Sequence, residues 1–302
     1  MSSQKSKHLL LKLASLFSVV RGYNILVIIA AQYLTSIYIL APDKPLGKVL
    51  FDVNLFIIVF ASALAIASGY IINNFYDTEK DLINRPQKTF LDNYISQKTK
   101  LSVYFTLNFL SVILASYVSF KAVLFFSVYI FFLWFYSHKL KKYPFIGNLT
   151  ASILAVAPFF VVFVFYLNFD LIIFIHATYL FLIISIRELV KDLENLKGDF
   201  TQEYHTIPVV YGARFTKKIA TALVMLTYIP TLLLLFRDFH IGYMYYYFLI
   251  AYFLLITFLF FLWKSTSKLQ YTLLHNLLKL IIVLGVFSIL LLDIDIVLNR
   301  IF

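Results

Sequence analysis

Two short stretches of the sequence carry acidic and amide side chains at helical spacing. In the first, Asn73, Asp77 and Asp81 follow one another at intervals of four residues. Residues i and i+4 of an α-helix lie one turn apart on the same face, so we expect these side chains to form a row. Carboxylate and amide oxygens are hard ligands suited to Mg²⁺, and the chain has no cysteine to favour a softer metal.

The second stretch has Asp192, Asn195 and Asp199 at steps of three and four residues, with Glu188 one turn earlier. This spacing again predicts one acidic helix face. Basic residues surround both stretches and lie in the loop between them: Lys80, Arg85, Lys88, Lys139, Lys141, Lys142, Arg187, Lys191 and Lys197. Acids that hold a metal and bases that hold phosphate oxygens together predict a paired diphosphate site.

A simpler interpretation is that charged residues at a helix end only solvate an exposed face near the lipid headgroups. It fits either stretch alone better than it fits both, because each stretch has an amide within its acidic row. Arg21 and Asn24, at the start of the first apolar segment, form a polar pair that requires a partner, and we expect them to join the site. Four histidines are scattered and are interpreted as structural: His138, His176, His205 and His275.

The elements that position these residues are membrane helices. Hydrophobic residues make up 62% of the 302 residues and charged residues only 14%, against about a quarter in soluble domains. A span needs about 20 apolar residues, and nine segments qualify: 24–40, 52–76, 101–120, 122–137, 146–167, 171–189, 219–236, 241–263 and 277–297. We therefore predict an all-α bundle forming a single domain, 1–302. Residues 1–20 are a polar N-terminus with an interfacial helix, and no removable signal peptide is recognised.

The net charge of +11 is explained by membrane topology rather than by nucleic acid, because the bases lie in short loops. Alternating nine spans puts most of the 26 Lys and Arg on the same side as both acidic stretches. The positive-inside rule makes this side cytoplasmic. We expect a multi-pass protein of a bacterial plasma membrane, with its active-site loops in the cytoplasm.

The pattern resembles the UbiA superfamily of membrane prenyltransferases, whose signature is Asn-Asp-x-x-Asp-x-x-x-Asp after the second helix and a second aspartate-rich motif after the sixth. The matching residues here are Asn73, Asn74, Asp77 and Asp81, followed by Asn84-Arg85-Pro86, and then Arg187, Glu188, Lys191, Asp192, Asn195 and Asp199. Further matches are Arg21-x-x-Asn24, Tyr136-Ser137 with Leu140-Lys141, Gly147-Asn148, and Thr206-x-Pro208-Val209 with Gly212.

The resemblance implies a nine-helix bundle around a central cavity, in which Mg²⁺ neutralises the diphosphate of a polyprenyl donor and a lipophilic acceptor captures the prenyl group. The expected metal ligands are Asn73, Asp77, Asp81, Asp192, Asn195 and Asp199, of which the four aspartates are the catalytic residues. The residues expected to bind substrate are Arg21, Asn24, Arg85, Lys139, Lys141, Arg187 and Lys191.

Three questions stay open at this point. The second motif is similar to that of the digeranylgeranylglyceryl phosphate synthase branch, which implies a prenylglycerol phosphate acceptor, but an aromatic quinone precursor is the alternative. Asn74 and Asn195 stand where the family usually has Asp, so each motif is expected to have lost one charge, with weaker Mg²⁺ binding. A transporter or a non-catalytic scaffold are the alternatives to an enzyme, and the oligomeric state is unknown.

Overall fold

The structure, a computed structural model, describes residues 2–236 and 242–292. These residues form helices and connecting turns, with no strand among them, and nine of the helices are long and apolar enough to cross a membrane. The helices are α1 Ser2–Val19, α2 Gly22–Thr35, α3 Leu46–Leu50, α4 Val53–Tyr76, α5 Thr78–Asn84, α6 Pro86–Asp92, α7 Gln97–Val118, α8 Phe120–His138, α9 Ile146–Tyr166, α10 Leu171–Thr201, α11 Ile207–Phe236, α12 Met244–Lys264 and α13 Lys268–Ser288. The predicted all-α membrane bundle is confirmed.

Helix α4 is the central element of the first half of the bundle. Asp52 caps its first turn by accepting hydrogen bonds from the amides of Asn54 and Leu55, which satisfies donors that have no partner within the helix. Its buried face is rich in small and branched residues, and it packs against α2, α7, α8 and α9. The helix ends at Tyr76, so the first acidic motif begins in its last turn and continues into α5.

Helix α10 is the central element of the second half. It packs against α9, α11 and α13, and its buried residues belong to one apolar cluster with α11, α12 and α13. The second acidic motif lies in its final turns, and these turns contact α5. Each half therefore carries one motif on its central helix, at the end of the bundle where α5 and α10 meet.

Three predicted boundaries were wrong. The sixth span was expected to end at residue 189, but α10 continues to Thr201; the seventh and ninth were expected to begin at 219 and 277, but begin at Ile207 and Lys268. The prediction followed hydropathy, whereas the backbone of α10 stays helical through charged residues such as Glu, Lys and Arg, which are good helix formers. The second motif therefore lies within a helix rather than in a loop after one. The added first part of α11 is separated from the rest of that helix by a kink at Gly212, whose φ of 81° and ψ of 161° are not helical.

The predicted N-terminal helix is present as α1, and it contacts α6 and the start of α2. Its exposed apolar side chains include Leu10, Leu13 and Phe17, which is compatible with the interfacial position that the sequence predicts. The last part of the predicted segment 277–297 lies outside the described ranges. The single-domain assignment stays a prediction.

Candidate active site

A lysine joins the two acidic motifs. The Lys80 ammonium lies 3.3 Å from Asp77 Oδ1 and 3.3 Å from Asp199 Oδ1. Both carboxylates are buried, with Asp77 5% and Asp199 1% exposed. One ammonium group can contact both acids only if the ends of α4 and α10 are side by side, so the structure brings the two motifs together.

Asp77 has the densest set of polar contacts in this region. Its Oδ1 is 2.8 Å from the Lys141 ammonium and accepts a hydrogen bond from the Tyr204 hydroxyl at 3.1 Å. Burial alone would raise the pKa of Asp77, but Lys141 and Lys80 outweigh burial and hold this pKa below its usual range. Lys141 also donates to Asn73 Oδ1 at 3.2 Å. Asn73, Asp77 and Lys141 therefore lie together, as predicted.

Asn84 holds α5 against α10. Its side-chain amide donates to the backbone oxygen of Asn195 at 3.3 Å, and its side-chain oxygen accepts from the backbone amide of Gly198 at 3.2 Å. A Cβ at position 198 would lie 2.3 Å from Asn84 Nδ2, so this approach requires glycine. Lys268, at the start of α13, donates to the backbone oxygen of Asn84. Three helices are thereby fixed at the acidic end of the bundle.

Several oxygens of the two motifs have capacity for another ligand. Asp192 accepts one hydrogen bond, from Asn148 Nδ2 to its Oδ2 at 2.8 Å. Asn195 Oδ1 is buried and has no hydrogen-bond partner among the described residues, and Asp81 makes no ion pair with them. Burial and the nearby Asp77 charge raise the pKa of Asp81. Oxygens that are buried, unpaired or mutually repelling fit a hard cation such as Mg²⁺.

The arrangement is not a preformed metal cage. Among the described residues, no three carboxylate or imidazole groups converge at metal-binding distance. Lys80 and Lys141 supply the positive charge beside Asp77 instead. The donor set fits Mg²⁺ best when the ammonium groups move toward phosphate oxygens, since Mg²⁺ is usually bound by a few carboxylates together with waters and substrate phosphates.

The basic residues predicted around the second motif lie next to glutamates. Arg187 Nη2 is 2.8 Å from Glu188 Oε1, and Lys191 donates to the other oxygen of the same carboxylate. Arg85 Nη2 is 3.0 Å from Glu194 Oε1. The second oxygen of Glu194 is 2.7 Å from His275 Nδ1 on α13. These contacts place α10, α13 and the start of α6 around one polar region.

Of the remaining residues predicted to bind substrate, Arg21 and Asn24 contact α4, whereas Lys139 lies apart from the site. Asn24 donates to the Tyr70 hydroxyl at 3.2 Å, and the Arg21 guanidinium lies 5.1 Å from the Tyr70 ring centroid. Both therefore contact α4 two turns before Asp77. Lys139 is exposed and makes no ion pair with the part of the chain that the structure describes, so the structure does not bring it into the cluster.

Asn74 does not face the acidic motifs. Its amide donates to Asp92 Oδ2 at 2.9 Å, and its oxygen accepts from the Lys100 ammonium at 2.9 Å. All three residues are buried. Successive residues of an α-helix differ in direction by about 100°, which turns Asn74 away from Asn73 toward α6 and α7. The expectation that Asn74 removes a charge from the metal site is therefore not supported by its position.

Sequence reasoning missed several contributors to this region. Lys80 was noted only as a neighbouring base and Tyr204 was not considered, although both contact Asp77. Asn84 was recognised as part of a motif but was given no role. The four-residue spacing of Asn73, Asp77 and Asp81 gave no indication of these contacts, because each of them depends on how distant helices pack.

An apolar cavity of about 200 Å³ lies at the other end of the bundle. It is bounded by the last turns of α2 and α13, the first turns of α10 and α12, and part of α9. Phe163, Phe248 and Ile183 are among its lining residues. Such a lining is suited to hydrocarbon and not to a charged group.

Comparison with known proteins gives a consistent result. The model of the UbiA prenyltransferase family matches residues 29–281. The digeranylgeranylglyceryl phosphate synthase of Methanobrevibacter smithii is 28% identical over 238 residues, covering 75% of this chain and 80% of that protein. The protein of the same name from Thermococcus gammatolerans is 30% identical, covering 66% of this chain and 70% of the relative.

Solved structures show the same fold. A structure of a digeranylgeranylglyceryl phosphate synthase in membranes superimposes with a TM-score of 0.68 at 24% identity, over 92% of this chain and 97% of that one. A UbiA homologue from Archaeoglobus fulgidus bound to GPP and Mg²⁺ gives a TM-score of 0.66 at 14% identity, over 91% and 99%.

The fold and the paired acidic motifs define an integral, multi-pass membrane prenyltransferase. The chain belongs to the UbiA prenyltransferase family. The resemblance seen in the sequence is thereby confirmed, as is the assignment of the chain as an enzyme, which sets aside the transporter and scaffold alternatives.

Proposed function

We propose that this enzyme transfers a geranylgeranyl or similar prenyl group from its diphosphate to the hydroxyl of a prenylglycerol phosphate lipid, with Mg²⁺ as cofactor. The observation that carries the proposal is the contact of one ammonium group, Lys80, with acids of both motifs. Such a site has negative oxygens for a metal and mobile positive groups for phosphates at the same point. The names of the relatives support the acceptor class.

Mg²⁺ would be held by Asp77, Asp81, Asp192 and Asp199, with Asn73 and Asn195 as amide ligands. When bound, it supplies positive charge that stabilises the diphosphate leaving group. Lys80 and Lys141 bind the diphosphate oxygens once they leave their carboxylates. The bond between the first prenyl carbon and the diphosphate oxygen breaks, and its electron pair leaves with the diphosphate.

The acceptor hydroxyl oxygen then bonds to the prenyl carbon and releases its proton. The surrounding helices exclude water, which would otherwise capture the carbocation. The prenyl chain extends from the acidic end of the bundle toward the apolar cavity between α2, α9, α10, α12 and α13. We infer that the acidic end faces the cytoplasm, from the concentration of Lys and Arg on that side. The named relatives come from archaea, so they lend no support to a bacterial membrane.

The test is a transfer assay with purified protein in detergent, Mg²⁺, labelled geranylgeranyl diphosphate and a panel of acceptors. We expect a labelled product with geranylgeranylglyceryl phosphate that disappears when EDTA is added and returns with excess Mg²⁺. Product formed only with an aromatic quinone precursor would refute the lipid acceptor. Activity unaffected by EDTA would refute the metal requirement.

A further inference from the structure

The ring of Tyr204 lies among three lysines at the acidic end of the bundle. Its centroid is 4.5 Å from the Lys80 ammonium, 5.2 Å from that of Lys142 and 6.0 Å from that of Lys141. The face of an aromatic ring carries partial negative charge and attracts a cation within about 6 Å of its centroid. One side chain is therefore in contact with the ammonium groups of all three lysines.

The short connection between α10 and α11 fixes the position of Tyr204. Glu203 has a left-handed backbone conformation, with a φ of 54°, and turns the chain after α10. The backbone amide of Tyr204 then donates to the backbone oxygen of Asp199 at 2.8 Å, and that of His205 donates to the backbone oxygen of Lys142 at 2.8 Å. Tyr204 is only 5% exposed. These hydrogen bonds hold the ring between the end of α10 and the loop that follows α8.

Lys142 differs from the other two lysines in its partners. Lys80 and Lys141 each contact an acid of the motifs, whereas Lys142 is exposed and makes no ion pair with the residues that the structure describes. The contact that its ammonium makes is with the Tyr204 ring. Holding a lysine side chain in one place costs rotamer entropy, so we expect Lys142 to leave the cluster when the ring is removed.

An aromatic ring holds an ammonium group differently from a carboxylate. A carboxylate accepts the N–H groups of the ammonium, whereas a ring attracts its charge and leaves most of its three donors free. In the proposed mechanism, Lys80 and Lys141 leave Asp77 when they bind the diphosphate. The ring of Tyr204 can stay in contact with them as they do so. It therefore supports the lysines without competing with phosphate oxygens.

We propose that Tyr204 is a positioning residue that gathers Lys80, Lys141 and Lys142 into one set of cations for the donor diphosphate, and that Lys142 is the third diphosphate-binding lysine. This inference rests on the proposed function. The ring carries the effect, since the hydroxyl is directed to Asp77, to which it donates at 3.1 Å. Tyr204 thus determines the affinity for the donor and not that for the acceptor.

The experiment measures the binding of geranylgeranyl diphosphate to detergent-solubilised protein by calorimetry, at a fixed saturating Mg²⁺ concentration and without acceptor. Tyr204→Leu removes the ring and should weaken binding about 5- to 30-fold, because its cation–π contacts are lost. Tyr204→Phe keeps the ring, so its donor affinity should stay within about threefold of wild type. In the transfer assay, Tyr204→Leu should raise the KM of the donor, while kcat and the KM of the acceptor stay within about threefold.

A double-mutant cycle tests whether Tyr204 acts through Lys142. Because Lys142 is exposed, Lys142→Met should leave the fold intact, and by itself it should weaken donor binding about 2- to 5-fold. In the Tyr204→Leu background the same substitution should have almost no further effect, since Lys142 has already left the cluster. Additive losses would show that the two residues act independently and would refute the proposal.

The matched control is Tyr143→Leu, which removes the ring next to Lys142 in the sequence, on a residue that is 44% exposed. It should bind the donor as wild type does. Equal losses in Tyr204→Phe and Tyr204→Leu would assign the effect to the hydroxyl and overturn the inference. If Tyr204→Leu does not fold, Lys142→Met decides by itself, because wild-type donor affinity in that variant would also refute the proposal.

The binding measurement separates this inference from the proposed function. Donor binding that depends on the Tyr204 ring, without transfer to any acceptor, would support the positioning role while refuting the proposed reaction. Transfer with the same donor affinity in wild type and Tyr204→Leu would do the reverse. Absence of donor binding by the wild-type protein would refute both.

Discussion

At the scale of single residues, the acids of the two motifs have unequal surroundings. Asp77 contacts two lysines and a tyrosine, whereas Asp192 accepts one amide hydrogen bond and Asp81 is unpaired within the described residues. The least compensated acids are the ones most available to a metal, while Asp77 already has cations that can transfer to phosphate. The two motifs are thus similar in sequence but differ in electrostatic state.

Replacing either central acid should remove most activity. Asp77→Ala or Asp192→Ala leaves the diphosphate without its metal and lowers kcat by at least about 100-fold, as is typical when a group that stabilises developing charge is lost. Asp170→Ala is the control, because Asp170 is exposed at the opposite end of α10 and makes no capping hydrogen bond. Equal losses in all three variants would indicate general destabilisation.

Asn74 and Asn195 both replace expected acids, but restoring an aspartate should change the Mg²⁺ requirement at only one of the two positions. Asn195 Oδ1 is buried and unpartnered among the described residues, so Asn195→Asp should lower the Mg²⁺ concentration needed for half-maximal activity. Asn74 is hydrogen-bonded to Asp92 and Lys100, so Asn74→Asp should leave this concentration unchanged. A titration of activity against Mg²⁺ distinguishes them, and a response from Asn74 alone would contradict the geometry.

At the scale of elements, the approach of α5 to α10 determines whether the motifs form one site. Gly198→Ala places a methyl group 2.3 Å from Asn84 Nδ2, which must separate the two helices or displace Asn84. Overpacking of this kind costs about 1–3 kcal/mol, and the shift at the site should lower kcat at least about 10-fold.

The control for this prediction is Gly47→Ala, because a Cβ at position 47 has nothing within 4 Å. Both variants are measured for turnover and for thermal unfolding in detergent. Shortening the clashing side chain, in the double variant Asn84→Ala with Gly198→Ala, should recover part of the stability lost in Gly198→Ala. Wild-type turnover in the single Gly198→Ala variant would show that α5 need not be held this closely.

The elements were predictable where a local pattern determines them. Apolar runs located nine spans, and the spacing of Asp192, Asn195 and Asp199 correctly put them on one helix. Hydropathy failed at the ends of α10 and α13, where charged residues continue the helix. The contacts of Lys80 and Asn84 were not predictable, since each joins helices far apart in the sequence.

At the scale of the whole molecule, the polar site and the apolar cavity lie at opposite ends of the same helices. Asp192 and Ala177, a cavity residue, are 15 residues apart on α10, which corresponds to about 22 Å. Ala177→Phe should fill part of the cavity and reduce kcat/KM for a twenty-carbon donor more than for a ten-carbon donor. Equal losses with both donors would place the prenyl chain elsewhere.

The bridge that Lys80 makes between Asp77 and Asp199 has a consequence for how the protein is produced and handled. Proteins whose fold depends on a bound metal, such as zinc fingers, unfold when a chelator removes the ion. Here the Lys80 ammonium lies between Asp77 and Asp199, so the negative charges of these two acids are compensated whether or not a metal is bound. Chelated protein should therefore show the same melting temperature as protein in Mg²⁺, whereas Lys80→Met should melt at a lower temperature in EDTA and regain stability when Mg²⁺ is added.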